Sequence, residues 1–137
     1  MKGSKIMECA VKKVLMVDDD GDIRRIGQVS LQKVGKWNVA LASSGHEGVK
    51  LAVREQPDVI LLDVMMPELD GPSTLAKLKS QPETAGIPVI FMTAKVLRSE
   101  VEEYLSLGAH GVIVKPFDPM TLPTQIREIL SKEHESV

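Results

Sequence analysis

Four short apolar runs, at residues 14–17, 59–62, 89–92 and 112–114, constrain the fold most. They are rich in Val, Ile and Leu and lack the polar alternation of a strand with one wet face. Such runs read as strands buried on both faces. A fifth run at 37–42 is weaker. Helical spacing fills the gaps: Ile23 and Ile26; Val49, Ala52 and Val53; Leu75 and Leu78; Leu97, Val101, Tyr104 and Leu105; Ile126, Ile129 and Leu130. Strands joined through helices run parallel, with helices on both faces, which predicts a five-stranded doubly wound α/β sheet. Ligands of such sheets bind beyond the carboxyl ends of the strands.

Boundary signals agree. Ser44 with Glu47, and Ser99 with Glu102, have capping-box spacing. Asp118 before Pro119 fits an N-cap followed by proline at the first helical position. Gly35 and Gly108 fit helix stops. Pro57 and Pro88 stand just before strands, where a helix has already ended.

A chain of 137 residues is one domain on size grounds. We place a lead-in at 1–11, the domain at 12–131 and a mobile polar tail at 132–137. The formal net charge of -2 does not favour nucleic acid or an anionic membrane. No apolar run approaches the roughly 20 residues that span a bilayer. The single cysteine, Cys9, has no partner for an internal disulfide, so a cytoplasmic setting is expected. His46, His110 and His134 are scattered and lack metal-ligand spacing.

The strand ends carry the chemistry. The first ends in Asp18, Asp19 and Asp20, the third in Asp63, the fourth in Thr93 and the fifth in Lys115. Taken singly, the aspartates read equally well as helix or turn caps, Thr93 as a turn hydroxyl and Lys115 as a solvated lysine. Taken together, they fall at the same end of one sheet. Carboxylates sharing a pocket repel one another and call for a cation. An all-oxygen acidic site suits Mg²⁺, which bridges readily to phosphate. Asp63 is then a carboxylate nucleophile able to form an acyl phosphate, with Lys115 neutralising phosphoryl charge and Thr93 donating a hydrogen bond.

These residues resemble the receiver domain of two-component response regulators. The resemblance spans about 12–131 and rests on Val17-Asp18-Asp19, Asp63-Val64-Met65-Met66-Pro67 with Asp70-Gly71, Thr93-Ala94 and Lys115-Pro116-Phe117. It implies a flavodoxin-like sheet of order 2-1-3-4-5, an order of which a member of this same family is a standard example. It further implies Asp63 as phosphoacceptor, with Mg²⁺ held by Asp18, Asp19, Asp63 and the Met65 backbone carbonyl, Asp18 acting mainly through water. Thr93 matches the switch hydroxyl and Lys115 the phosphate-binding lysine, with a cis bond to Pro116. Gly71 is expected in a turn of positive φ. Met65 and Lys95 match positions that tune phosphate lifetime in relatives. Val112 stands where many relatives carry the switch Tyr or Phe, so a ring swing at that position is ruled out here.

The implied partners are a sensor histidine kinase or a phosphotransfer protein, and a downstream protein target. No helix-turn-helix segment follows Ser131, so the chain reads as a stand-alone receiver or as part of a longer protein. Two rivals have different chemistry. One is a haloacid-dehalogenase-like phosphatase, since Asp18-Asp19-Asp20-Gly21 matches most of D-x-D-G-T, although Asp22 replaces the Thr. The other is a scaffold of the same fold that uses no phosphate. An EF-hand loop is excluded because its glycine falls on Ile23 and its last glutamate on Val29.

Overall fold

The computed structural model describes residues 11–95 and 97–135, with side chains described through 132. Cys9, most of the expected lead-in, the side chain of His134 and the last residues of the expected tail lie outside the described residues.

Strands β1 (Lys13–Val17), β2 (Asn38–Ala42), β3 (Val59–Asp63), β4 (Val89–Thr93) and β5 (Gly111–Val114) form one sheet in the order β2-β1-β3-β4-β5. Every neighbouring pair is parallel. The helices are α1 (Gly21–Val29), α2 (Gly45–Glu55), α3 (Gly71–Lys79), α4 (Arg98–Ser106) and α5 (Leu122–Glu135). Both the alternation expected from the sequence and the strand order that the resemblance implies are present. The weak fifth run is a genuine strand, β2, beginning one residue after Trp37 and paired with β1 from Asn38 to Ala42.

Successive strand side chains point to opposite faces, which splits each apolar run between two cores. Leu15, Val17, Ile60, Leu62, Val89 and Phe91 pack on one face with Leu75 and Leu78 of α3. Val14, Met16, Val59, Leu61, Ile90, Met92 and Ile113 pack on the other with Leu122, Ile126 and Leu130 of α5. The three central strands are nearly inaccessible along their length, as uninterrupted apolar runs require. Burying each large side chain is worth about 1.5–3 kcal/mol.

Several boundary expectations need correction. Ser99 is not a cap: α4 begins at Arg98 after an extended Leu97, with no side-chain cap, and Glu102 sits 4.0 Å from Arg98. A capping residue needs non-helical backbone, and Ser99 already lies inside the helix. Asp118 opens a turn rather than α5 itself: its Oδ1 accepts from the Met120 N–H at 2.9 Å, and the helix starts at Leu122. Ser44 caps α2 as expected, but Glu47 reaches back to the N–H of Ser43, one residue earlier than in a capping box.

Gly108 has φ +113, as a helix stop predicts. Gly35 also stops a helix: it is the C-cap of a π-helical segment, Ser30–Val34, that continues α1, with φ -78 and its N–H bonded to the Ser30 carbonyl; the left-handed residue is the next one, Lys36, at φ 64. Gly71 is likewise not at positive φ but opens α3. A Cβ there would fall 2.6 Å from the Asp63 carbonyl oxygen and 2.8 Å from the Val64 Cα. The glycine lets α3 start against the strand that carries Asp63. Some positions expected to face the core are exposed, among them Ile26, Val53, Leu97 and Leu105. No residue of α4 is fully buried; Tyr104 anchors it by packing edge-on to Phe91, with ring centroids 5.0 Å apart. The α5 backbone stays helical through Glu135, beyond Ser131.

Candidate functional site

The pleat explains how the site assembles. Asp18 continues the side-chain parity of Val14 and Met16, Asp63 that of Val59 and Leu61, and Lys115 that of Ile113. All three therefore project from the same side of the sheet, just past its carboxyl edge. Thr93 continues the parity of Val89 and Phe91 and belongs to the other side.

The Lys115 Nζ stands 3.0 Å from Asp18 Oδ2 and 3.1 Å from Asp63 Oδ1. Asp18 is 0% exposed and Asp63 3%. The peptide bond between Lys115 and Pro116 is cis, matching the expectation at that position. Beyond it, Phe117 is buried in the core shared with Met16 and Leu122, beneath the lysine turn. The Lys115 backbone N–H donates to the Thr93 carbonyl at 2.8 Å, which ties the end of β5 to the end of β4.

Asp18, Asp19 and Asp63 each offer a carboxylate oxygen within 4.8 Å of the others. Asp19 is exposed, so the group opens to solvent on one side. Burial pushes the Asp63 carboxyl up to about 6, helped by the neighbouring Asp18 and opposed by the Lys115 ammonium and the Met65 backbone N–H. Burial works against the charge on Lys115, but its contacts with Asp18 and Asp63 prevail and hold its pKa above the ordinary lysine value. The lysine is an ammonium throughout the physiological range.

This donor set fits a small hard cation. It is all oxygen, partly open, and carries more negative charge than one lysine offsets.

The remaining expected residues fall as follows. Thr93 is 5% exposed, and its Oγ1 accepts from the Lys95 N–H at 3.2 Å. It is tied to the acidic group through the backbone of Lys115. Met65 is 76% exposed at the mouth of the site, and its N–H bonds to the Asp63 carboxylate. Val112 pairs in register with Phe91 and packs against the core containing Phe91 and Tyr104. Asp20 is a helix cap, accepting from the Asp22 and Ile23 N–H groups. Sequence reasoning missed two further residues. Arg24 Nη1 donates to the Asp18 carbonyl at 2.7 Å, and the buried Ser30 Oγ donates to the Pro119 carbonyl at 2.5 Å. Neither follows from spacing, because each joins a helix side chain to a backbone oxygen of another segment.

Comparison with known proteins agrees with this geometry. The model of the response regulator receiver domain family matches residues 14–127. The chain is 37% identical over 125 residues to a probable transcriptional regulator, ycf27, of Guillardia theta, covering 91% of this chain and 48% of that protein. It is 37% identical over 121 residues to PhoP, the alkaline phosphatase synthesis transcriptional regulatory protein of Bacillus subtilis, covering 88% and 49%. The chain thus spans about half the length of these curated relatives. Among solved structures, the chemotaxis protein CheY4 of Vibrio cholerae superposes with a TM-score of 0.81 at 32% identity, covering 88% of this chain and 99% of that one. Among the described residues, no helix is long and apolar enough to cross a membrane. With its sheet order, its acidic strand ends and its lysine in place, the chain belongs to the response regulator receiver family.

Proposed function

We propose that this receiver takes a phosphoryl group onto Asp63 from a phosphohistidine, on a sensor histidine kinase or a phosphotransfer protein, and changes shape to control a protein target. The observation that supports this best is the bridging of two buried carboxylates by Lys115 beside the exposed Asp19. A carboxylate so placed is held for chemistry at a solvent-facing edge rather than for packing.

An Asp63 oxygen attacks phosphorus; a P–O bond forms while the P–N bond breaks, its electron pair leaving on the imidazole nitrogen. At neutral pH Asp63 is mostly ionised, since its pKa lies near 6. Lys115 carries fixed positive charge for the phosphoryl oxygens. The Thr93 hydroxyl oxygen is engaged by the Lys95 N–H, which leaves its own hydrogen to donate to a phosphoryl oxygen once the hydroxyl moves toward Asp63. Asp18, Asp19, Asp63 and the Met65 carbonyl would hold Mg²⁺, which would add positive charge beside those oxygens.

Phosphorylation alters the partner surface only by binding one conformer better than another. Helix α4 is the natural mover, because it has no fully buried residue. With Val112 in place of a ring, that movement proceeds through the Thr93 hydroxyl and the loop after β4. On this reading the protein is a cytoplasmic signalling domain without independent substrate turnover. Incubation with acetyl phosphate and Mg²⁺ tests it: one phosphoryl group per chain on wild type, none on Asp63→Asn. Steady release of phosphate from many phosphomonoester molecules per chain would instead favour the phosphatase rival.

A further inference from the structure

We infer that Arg24 is a positioning residue for the cation-binding turn, setting the Asp19 carboxylate by holding the peptide that precedes it. The inference rests on the Mg²⁺ reading proposed above. Arg24 lies on the first full turn of α1, and its Nη1 donates to the Asp18 carbonyl oxygen at 2.7 Å. That carbonyl belongs to the peptide joining Asp18 to Asp19. Its orientation therefore places the Asp19 nitrogen and Cα, from which the side chain departs.

The two aspartates need this help unequally. Asp18 is fully buried, and its carboxylate is held by Lys115 at 3.0 Å and by the Asp20 N–H at 2.9 Å. Asp19 is exposed, and among the described residues its carboxylate has no hydrogen bond or ion pair. Its placement within 4.8 Å of the other two carboxylates depends on the backbone.

The Arg24 Nη2 lies 3.5 Å from where a Cβ on Gly21 would stand, an ordinary contact distance. Its charge also reaches Glu47 in the first turn of α2. That carboxyl is kept below its usual range first by the Ser43 backbone N–H, then by the Ser43 hydroxyl, and further by Arg24. A planar, five-donor guanidinium suits a directed bond to a backbone carbonyl better than a lysine does.

Charge and position make opposite predictions, which gives the test its force. If Arg24 acted only as a nearby positive charge, removing it would tighten Mg²⁺ binding to the acidic group. If it positions Asp19, removing it weakens binding despite the charge relief. Groups that orient a metal ligand from behind typically cost about 10- to 100-fold in metal affinity when removed.

The measurement is calorimetric titration of Mg²⁺ into the full chain, for wild type, Arg24→Ala and Arg24→Lys, at low and high salt. We expect about a tenfold weaker affinity for Arg24→Ala, persisting at high salt, partial recovery in Arg24→Lys, and a melting temperature without Mg²⁺ close to wild type. Arg24→Gln replaces the alanine variant if that protein does not fold, with the same expected loss. Unchanged or tighter binding in Arg24→Ala or Arg24→Gln overturns the inference while leaving the proposed function intact. Absence of Mg²⁺ binding by wild type overturns both.

Discussion

Lys115 and Asp63, 52 positions apart in sequence, meet at 3.1 Å, and the same ammonium reaches Asp18 at 3.0 Å. One cation thus holds two carboxylates that would otherwise repel each other out of water. Removing it by Lys115→Ala leaves both buried without a counter-charge. Stranding a buried charge in this way typically costs about 3 kcal/mol or more. We expect a loss of about that size in urea unfolding at neutral pH without Mg²⁺, and an Asp63 pKa moved above about 6. Added Mg²⁺ should restore much of the lost stability, because it supplies the missing positive charge.

Asp63 also makes stability depend on pH. Its folded pKa, about 6, lies above the ordinary value of 3.8, so the folded protein binds this proton more tightly than the unfolded chain does. The stability from that proton is complete below pH 3.8 and is lost as pH rises through about 6. The full span is at most about 3 kcal/mol. Asp63→Asn has no such proton to lose. Without Mg²⁺, the variant should gain on wild type between those limits and be the more stable protein at pH 7. Denaturant melts of both proteins at matched pH isolate this group, since the other titrations cancel in the difference.

Gly71 yields a packing prediction tied to the acceptor. Because a Cβ would meet the Asp63 carbonyl oxygen at 2.6 Å and the Val64 Cα at 2.8 Å, neither of which swings aside, Gly71→Ala must shift β3 or the start of α3. Such overpacking costs about 1–3 kcal/mol. We expect thermal unfolding to show that loss and Mg²⁺ affinity to fall with it, because the shifted backbone carries Asp63.

The sheet was legible because its central strands are buried on both faces, which leaves uninterrupted apolar runs. The site was legible because strand parity and a shared sheet edge bring Asp18, Asp63 and Lys115 together whatever the loops do. What escaped was local backbone detail. Ser99 and Asp118 carry cap chemistry, yet the helices start one residue before Ser99 and four residues after Asp118. The π-helical segment after α1 moved the left-handed residue from Gly35 to Lys36. Gly71 was recognised as necessary, but for a turn rather than for the backbone contact that excludes a Cβ. The Arg24 and Ser30 bonds to backbone oxygens have no periodic signature and became visible only in three dimensions.

The most direct test is intact-protein mass spectrometry after incubation with acetyl phosphate, with and without Mg²⁺, followed by peptide mapping. We expect wild type to gain the mass of one phosphoryl group only when Mg²⁺ is present, mapped to Asp63, and Asp63→Asn to gain none. Labelling of Asp63→Asn equal to that of wild type, or labelling of wild type that is indifferent to Mg²⁺, would contradict the assignment of Asp63 as a metal-assisted phosphoacceptor.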